Sequence, residues 1–361
     1  MDVLFRKLGL LELDGYCFDR AVKGGQAAAL AIYRRNGAPS SLGENAPDFV
    51  AVKFLIAPRK SGELESFRRE AEILLMLRKY GKSPTVVKAL TNVCSLENIP
   101  VYYFFMEFVE GETVSDFIQK NPLPWDCDLA VDILRRIAMA LIPVAASAQV
   151  HRDLHAGNIM ISGKVEGFSH ALIAEDPGIR ILDFGVGRNW LLDQRDNWQE
   201  DRFRHPGAVS SWSPELLLDP SSVDTKHDVW GLGNLFFRLL TGEFAFLSSN
   251  FAQYFDLVTN GSYNREALRD TDPIVTKLVE CMFEVAPHKR ISIGGVLKIT
   301  NDILEHNLRT WLQLHPVLSE LYFLVEGNIW KCPLCSAIGN PNPESRCRSC
   351  GRYVETFQLP F

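Results

Sequence analysis

Val150-His151-Arg152-Asp153-Leu154-His155-Ala156-Gly157-Asn158-Ile159-Met160-Ile161 and, further on, Ile179-Arg180-Ile181-Leu182-Asp183-Phe184-Gly185 are the stretches that decide how this 361-residue chain is read. The first sets an aspartate and an asparagine five residues apart on a loop that runs into a strand. The second delivers another aspartate, thirty residues after Asp153, from the end of a strand at 179–182. Two carboxylates and an amide on adjacent loops offer the oxygen ligands that hard divalent cations prefer, with water filling the remaining positions. Around these loops the pattern changes character. About the first hundred residues read as short strands punctuated by Gly, Asn and Pro, with one helix at about 63–80. From about 112 to 312 the pattern is mostly helical, interrupted by the two stretches quoted.

Working outward, the strand at 49–55 alternates, with Ala51, Lys53 and Leu55 on one face and Val50, Val52 and Phe54 on the other. Lys53 is thus a charge on an otherwise apolar strand, and an edge-strand lysine facing solvent is the plain reading. The following helix changes that reading. Phe67, Glu70, Leu74 and Leu77 are spaced three, four and three apart, so Glu70 lies within the buried stripe. A buried carboxylate needs a partner, and Lys53 is the nearest candidate in the sequence, the alternative being a glutamate at a loosely covered helix edge. A lysine, an inward glutamate and an Asp/Asn/Asp set are the parts that phosphoryl transfer requires, because that reaction depends on positioning and charge neutralisation.

Residues 16–312 resemble a eukaryotic-type protein kinase domain. The resemblance is carried by Val50-Ala51-Val52-Lys53, Phe67-Arg68-Arg69-Glu70-Ala71, His151-Arg152-Asp153 with Asn158, and Asp183-Phe184-Gly185. Ser213-Pro214-Glu215, Asp228-Val229-Trp230-Gly231-Leu232-Gly233 and Arg290 continue it in order. It implies an α+β, bilobal fold: a small, mostly β lobe at 1–110 and a mostly helical lobe at 111–312. It also implies roles. Lys53 would hold the ATP α- and β-phosphates, oriented by Glu70; Asp153 would accept the proton of the attacking hydroxyl; Asn158 and Asp183 would hold Mg2+ or Mn2+. Met106 falls at the gatekeeper position, Glu107 and Val109 would offer backbone groups to adenine, and Ala29 and Ala51 would cover the base. Leu74 and Phe184 would join an apolar spine, and Glu215 and Arg290 a buried ion pair.

The sequence departs from the family at several points. The phosphate-covering loop keeps only the Gly24-Gly25 centre of its glycine pattern, within Val22-Lys23-Gly24-Gly25-Gln26-Ala27. Those glycines still let backbone N–H groups approach phosphate, and weaker nucleotide affinity is expected. His155 replaces the lysine usual two residues after the catalytic aspartate, and Gly207-Ala208 replaces a Gly-Thr, so both members of one small network have changed. His155 reads as a neutral donor, as a partly charged phosphate ligand, or as a packing residue. Between Gly185 and Ser213 there is no Thr or Tyr, only Ser210 and Ser211. Asp193, Asp196, Glu200 and Asp201 offer Arg152 the negative charge that a phosphate would otherwise bring, so activity is expected not to need phosphorylation of 186–209.

Composition is that of a globular chain, with 47% apolar and 23% charged residues and a formal net charge of −6. No apolar run approaches the roughly 20 residues that span a bilayer. The tract at 138–148 is short and holds Pro143, and the start of the chain lacks the pattern of a secretory signal. A cytoplasmic protein is expected, with no membrane or DNA partner. Of the eight cysteines, Cys17, Cys94, Cys127 and Cys281 are solitary in apolar surroundings and read as core fillers. Cys332, Cys335, Cys347 and Cys350 fall within nineteen residues as two C-x2-C pairs, which reads as a tetrahedral Zn2+ site. With Trp330 and Asn340 this segment, 329–355 after a linker at 313–328, resembles the small Ran-binding-protein-type zinc finger, a generic zinc ribbon being the alternative. Four basic against three acidic side chains in 326–361 make a poor footprint for nucleic acid once the thiolates are counted, so a protein partner is favoured over single-stranded RNA. The expected activity is transfer of the ATP γ-phosphate to a protein hydroxyl, Ser/Thr rather than Tyr. A pseudokinase scaffold, suggested by the glycine loop and His155, and a small-molecule phosphotransferase, suggested by the H-x-D-L-H-x-G-N pattern, are the rival readings.

Overall fold

Strand β4 (Phe49–Ile56) organises the N-terminal part of the chain. It is internal to an antiparallel six-stranded sheet whose spatial order is β1 (Glu12–Leu13), β2 (Tyr16–Val22), β3 (Ala29–Arg35), β4, β6 (Pro100–Glu107) and β5 (Val86–Cys94). The computed structural model describes residues 2–22, 28–58, 61–84, 86–94, 98–162, 178–189 and 211–305. The chain divides into two units, one of Met1–Glu110 with Asp183–Gly185, the other of Gly111–Leu182 with Val186–Phe361.

In the first unit β4 is apolar on both faces, Lys53 apart, because both are covered. Helix α1 (Asp2–Leu8) covers one face. Its Phe5 lies 4.9 Å from Phe54 and 5.5 Å from Phe18, ring centre to ring centre, in a cluster with Leu8, Tyr33, Val50, Val52, Tyr103 and Phe105. Helix α2 (Ser61–Leu77) covers the other, its Phe67 ring 5.1 Å from Phe104. The stripe Phe67, Glu70, Leu74, Leu77 is buried along its length. The long β3–β4 connection is pinned to the β1–β2 turn: Asp14 accepts hydrogen bonds from the backbone N–H (2.9 Å) and hydroxyl (2.6 Å) of Ser41. Gly15 makes that approach possible, since at φ +81° a Cβ there would meet the Ala38 carbonyl at 2.8 Å.

The second unit begins with β7 (Gly111–Thr113), α3 (Val114–Lys120), α4 (Cys127–Ala146) and β8 (Gln149–Val150). A 3-10 turn at Ala156–Asn158 leads into β9 (Ile159–Ser162), which lies between β10 (Gly178–Ile181) and β7, while β11 (Arg188–Asn189) pairs with β8. Among the described residues, helices α5 (Pro214–Leu218), α6 (Lys226–Thr241), α7 (Phe251–Thr259), α8 (Pro273–Met282) and α9 (Ile293–Leu304) follow. Pro143 falls in the last turn of α4, so the helix runs through it to Ala146. Helix α6 is buried almost all round; its Gly231 lies where a Cβ would come 3.3 Å from the Leu154 carbonyl.

The expected Glu215–Arg290 pair is present and buried. Arg290 Nη1 and Nη2 donate to Glu215 Oε1 and Oε2 at 2.7 and 2.9 Å, and Arg290 also bonds the carbonyls of Lys226 and Glu284. Burial works against the Glu215 charge, but Arg290 outweighs it and holds the carboxyl below its ordinary range. The cysteine expectation needs correction. Cys17, Cys127 and Cys281 are only half buried, because Cys17 sits on the sheet's β2 strand beside Asn36 and Cys127 is the first residue of helix α4. The cysteines at 332–350, Gly24, Gly25, the residues at 190–210 and the linker lie outside the described residues. Among those described, no helix is long and apolar enough to cross a membrane.

Candidate active site

Lys53 lies on an internal strand, so the solvent-facing edge lysine is excluded by its position between β3 and β6. Its side chain is 13% exposed, and Nζ donates to Glu70 Oε1 and Oε2 at 2.5 and 2.6 Å and to Asp183 Oδ1 at 2.9 Å. Strand alternation aims Lys53 at α2, and the helical stripe aims Glu70 back at the strand. Burial opposes the ammonium charge, but Glu70 and Asp183 prevail and hold Lys53 above its ordinary range, so it is protonated at neutral pH. Asp183 is itself in the left-handed region, at φ 58°, with its Oδ1 also receiving the Gly185 N–H at 3.2 Å. A Cβ on Gly185 would come within 3.0 Å of that oxygen, which makes glycine the residue that fits beside the ion pair. Phe184, between them, is buried.

The face of the sheet that carries Lys53 also carries Ala51, whose neighbour across the ladder is Met106. Glu107 pairs with Val50, and Met106, Glu107 and Val109 are all half buried. Ala29 is a correction. It pairs with Phe54 and packs against the cluster under α1, on the face opposite Lys53 and Ala51. Side chains alternate along a strand, so the residue that shares the Lys53 face is its neighbour Leu30, which pairs with Lys53 directly. The parity of the strand register carried this information; the sequence alone does not fix which β3 residue meets Lys53.

In the second unit, the loop from His151 to Asn158 is held from several sides. Asp228, buried on α6, accepts the backbone N–H groups of His151 (2.8 Å) and Arg152 (3.0 Å), which secures the left-handed Arg152 at φ 68°. Burial pushes the Asp228 carboxyl up, against the pull of those N–H groups. His151 Nδ1 accepts the Asp153 N–H at 3.3 Å, so Nε2 carries the ring hydrogen and donates to the Leu182 carbonyl at 2.8 Å. Asn158 Nδ2 donates to the Asp153 carbonyl and Oδ2, at 3.0 and 3.1 Å, which fixes Asp153 and turns the amide oxygen the other way. His155 Nδ1 accepts the Gly157 N–H at 3.0 Å. The roles of Asp228 toward the loop backbone and of Gly157 beside the ring are not visible in the motif, since both depend on contacts made only when the loop closes.

The Asn158 amide oxygen, in the second unit, and the Asp183 carboxylate, in the first, are each hard donors of the kind that Mg2+ or Mn2+ takes. Among the described residues no group of three or more His, Cys, Asp or Glu side chains forms a metal cage.

Comparison with known proteins follows the same lines. The protein-family model for the protein kinase domain matches residues 41–307. The chain is similar to serine/threonine-protein kinase cds1 of Schizosaccharomyces pombe, 27% identical over 68% of this chain and 50% of that protein. It is similar to serine/threonine-protein kinase A of Synechocystis, 30% identical over 56% of this chain and 37% of that protein. Serine/threonine-protein kinase RAD53 of Saccharomyces cerevisiae is 24% identical over 75% of this chain and 31% of its own length. The chain spans half or less of the length of these relatives.

Proposed function

The chain belongs to the protein kinase domain family, and from that premise we propose that it transfers the γ-phosphoryl group of ATP to a protein hydroxyl, on serine or threonine rather than tyrosine. The hydroxyl oxygen attacks the γ-phosphorus and forms the new P–O bond. The bond from that phosphorus to the β–γ bridging oxygen breaks, ADP leaves with the electron pair, and the hydroxyl proton passes to the Asp153 carboxylate. Lys53 neutralises the α- and β-phosphates, and Leu30 and Ala51 cover the base beside Met106, with Glu107 and Val109 offering backbone groups to it. Gly24 and Gly25 would approach the phosphates. Asn158 and Asp183 would hold Mg2+, which supplies positive charge against the phosphate oxygens. The observation that supports this reading best is the protonated Lys53 held on both Glu70 oxygens and on Asp183. The serine/threonine choice draws on the relatives' names.

The proposal extends to the tail. Cys332, Cys335, Cys347 and Cys350 bind Zn2+ as a small finger that docks a protein partner or substrate, in a reducing, cytoplasmic setting. The central test is transfer of radiolabelled phosphate to the chain itself, a generic protein and small acceptors. Wild type labels protein, and Asp153→Asn lowers the rate by about a hundredfold or more. Labelling of small acceptors only would instead make the chain a small-molecule phosphotransferase. No transfer with any divalent metal would leave a scaffold. Phosphoamino-acid analysis of the product reads the hydroxyl class.

A further inference from the structure

We infer that His155 is a positioning residue for Asp153: a neutral imidazole that caps the loop with one nitrogen and presents its only N–H to the Asp153 carboxylate with the other. The inference rests on the reading of Asp153 as the proton acceptor. His155 is the N-cap of the 3-10 turn at Ala156–Asn158, itself extended at φ −148° and ψ 169°, and its Nδ1 accepts the Gly157 N–H at 3.0 Å. A nitrogen that accepts a hydrogen bond carries no hydrogen, so in the neutral ring the hydrogen is on Nε2. Nε2 lies 3.6 Å from Asp153 Oδ2, with the His155 side chain 33% exposed and that of Asp153 20%.

That distance is too long for a hydrogen bond. A small rotation of the ring closes it, and contacts of this kind tighten when substrate binds. Gly157 makes the arrangement possible, because a Cβ there would meet the ring Cε1 at 2.9 Å and Nδ1 at 3.1 Å. The same Oδ2 receives Asn158 Nδ2 at 3.1 Å. Once the ring has turned, two donors on one carboxylate oxygen would hold the group in place, one from Asn158, proposed to hold metal, and the other from His155. The chain therefore uses a neutral donor, aimed through the carboxylate, at a position where a lysine would bring a full charge.

A residue that merely capped the loop would need only its Nδ1. Two substitutions separate the functions. His155→Asn places an oxygen where Nδ1 was and keeps the cap on Gly157, but does not reach Asp153. His155→Gln places its amide N–H where Nε2 was and gives up the cap. Positioning through Nε2 predicts that His155→Asn keeps the thermal midpoint and the KM for ATP while kcat falls roughly tenfold, and that His155→Gln keeps kcat within about threefold. Wild-type kcat in His155→Asn, equal losses in both variants, or a loss confined to KM would each overturn it. Nitrogen-15 shifts of the imidazole read the contact without turnover. The expected spectrum has the hydrogen on Nε2 and a shift that moves in Asp153→Asn; a hydrogen on Nδ1, or no response to Asp153→Asn, overturns the inference. Should wild type transfer no phosphate, the proposed activity fails, and the tautomer and its response still decide this one.

Discussion

His227 sits one residue before Asp228 on α6, buried, with its Nδ1 2.7 Å from the Ser213 hydroxyl. Burial pushes its pKa down from 6.5 to about 4, with Arg152 and Arg290 adding to the effect and Glu215 opposing it. The unfolded chain takes up the proton near pH 6.5 and the folded one only near 4, so the stabilisation is complete above 6.5 and is lost as pH falls through that window. The gap amounts to about 3 kcal/mol. Urea denaturation at a series of pH values should show that much acid sensitivity in wild type and its removal in His227→Gln. Arg290 gives a companion prediction. Arg290→Ala strands the buried Glu215 carboxylate, at a cost of about 3–5 kcal/mol, read as lost hydrogen-exchange protection across α6. Gly185 and Gly157 belong to the same scale: each is a glycine because a functional side chain occupies the space its Cβ would need.

Sheet register is the element-scale feature with the clearest consequence. Leu30 and Ala29 are adjacent in sequence, yet they face opposite sides of β3, Leu30 toward Lys53 and Ala29 toward the cluster under α1. Leu30→Ala should raise the KM for ATP several-fold, and Ala29→Gly should leave it within twofold, as measured by steady-state kinetics at about saturating protein substrate. Helix α1 is the second case. The family match begins at residue 41, whereas the sheet begins at Glu12 and its outer face is closed by Phe5 and Leu8. Phe5→Ala removes a fully buried ring and should cost about 3–5 kcal/mol, seen as faster exchange of the β2–β4 amides. Periodicity placed β4 and α2 because a strand and a helix repeat at different intervals, and it placed Glu70 in the buried stripe. Periodicity carries no register, so which β3 residue meets Lys53 was not readable from it. The half-buried cysteines follow the same rule: an apolar neighbourhood in sequence does not say that a residue lies at the centre of a face.

At the scale of the whole molecule, the chain joins a sheet-based unit and a helical unit to a cysteine-bearing tail. The tail prediction is direct. The purified 361-residue chain should carry about one zinc ion per chain by elemental analysis, lost in Cys332→Ser and in Cys347→Ser. Transfer to a generic protein should persist in those variants, since the tail is proposed for docking rather than chemistry. The sequence by itself determined the strand-rich start and the helix-rich remainder, the family, and the identity of Lys53, Glu70, Asp153, Asn158 and Asp183 as candidates, because spacing and residue chemistry are local properties. Only the tertiary structure decided their partners. Lys53 meets a glutamate 17 residues away and an aspartate 130 away, and Arg290 meets Glu215 across 75. Against burial, those neighbours hold Lys53 above and Glu215 below its ordinary range, and neighbours so distant along the chain become readable only once the backbone has closed around them.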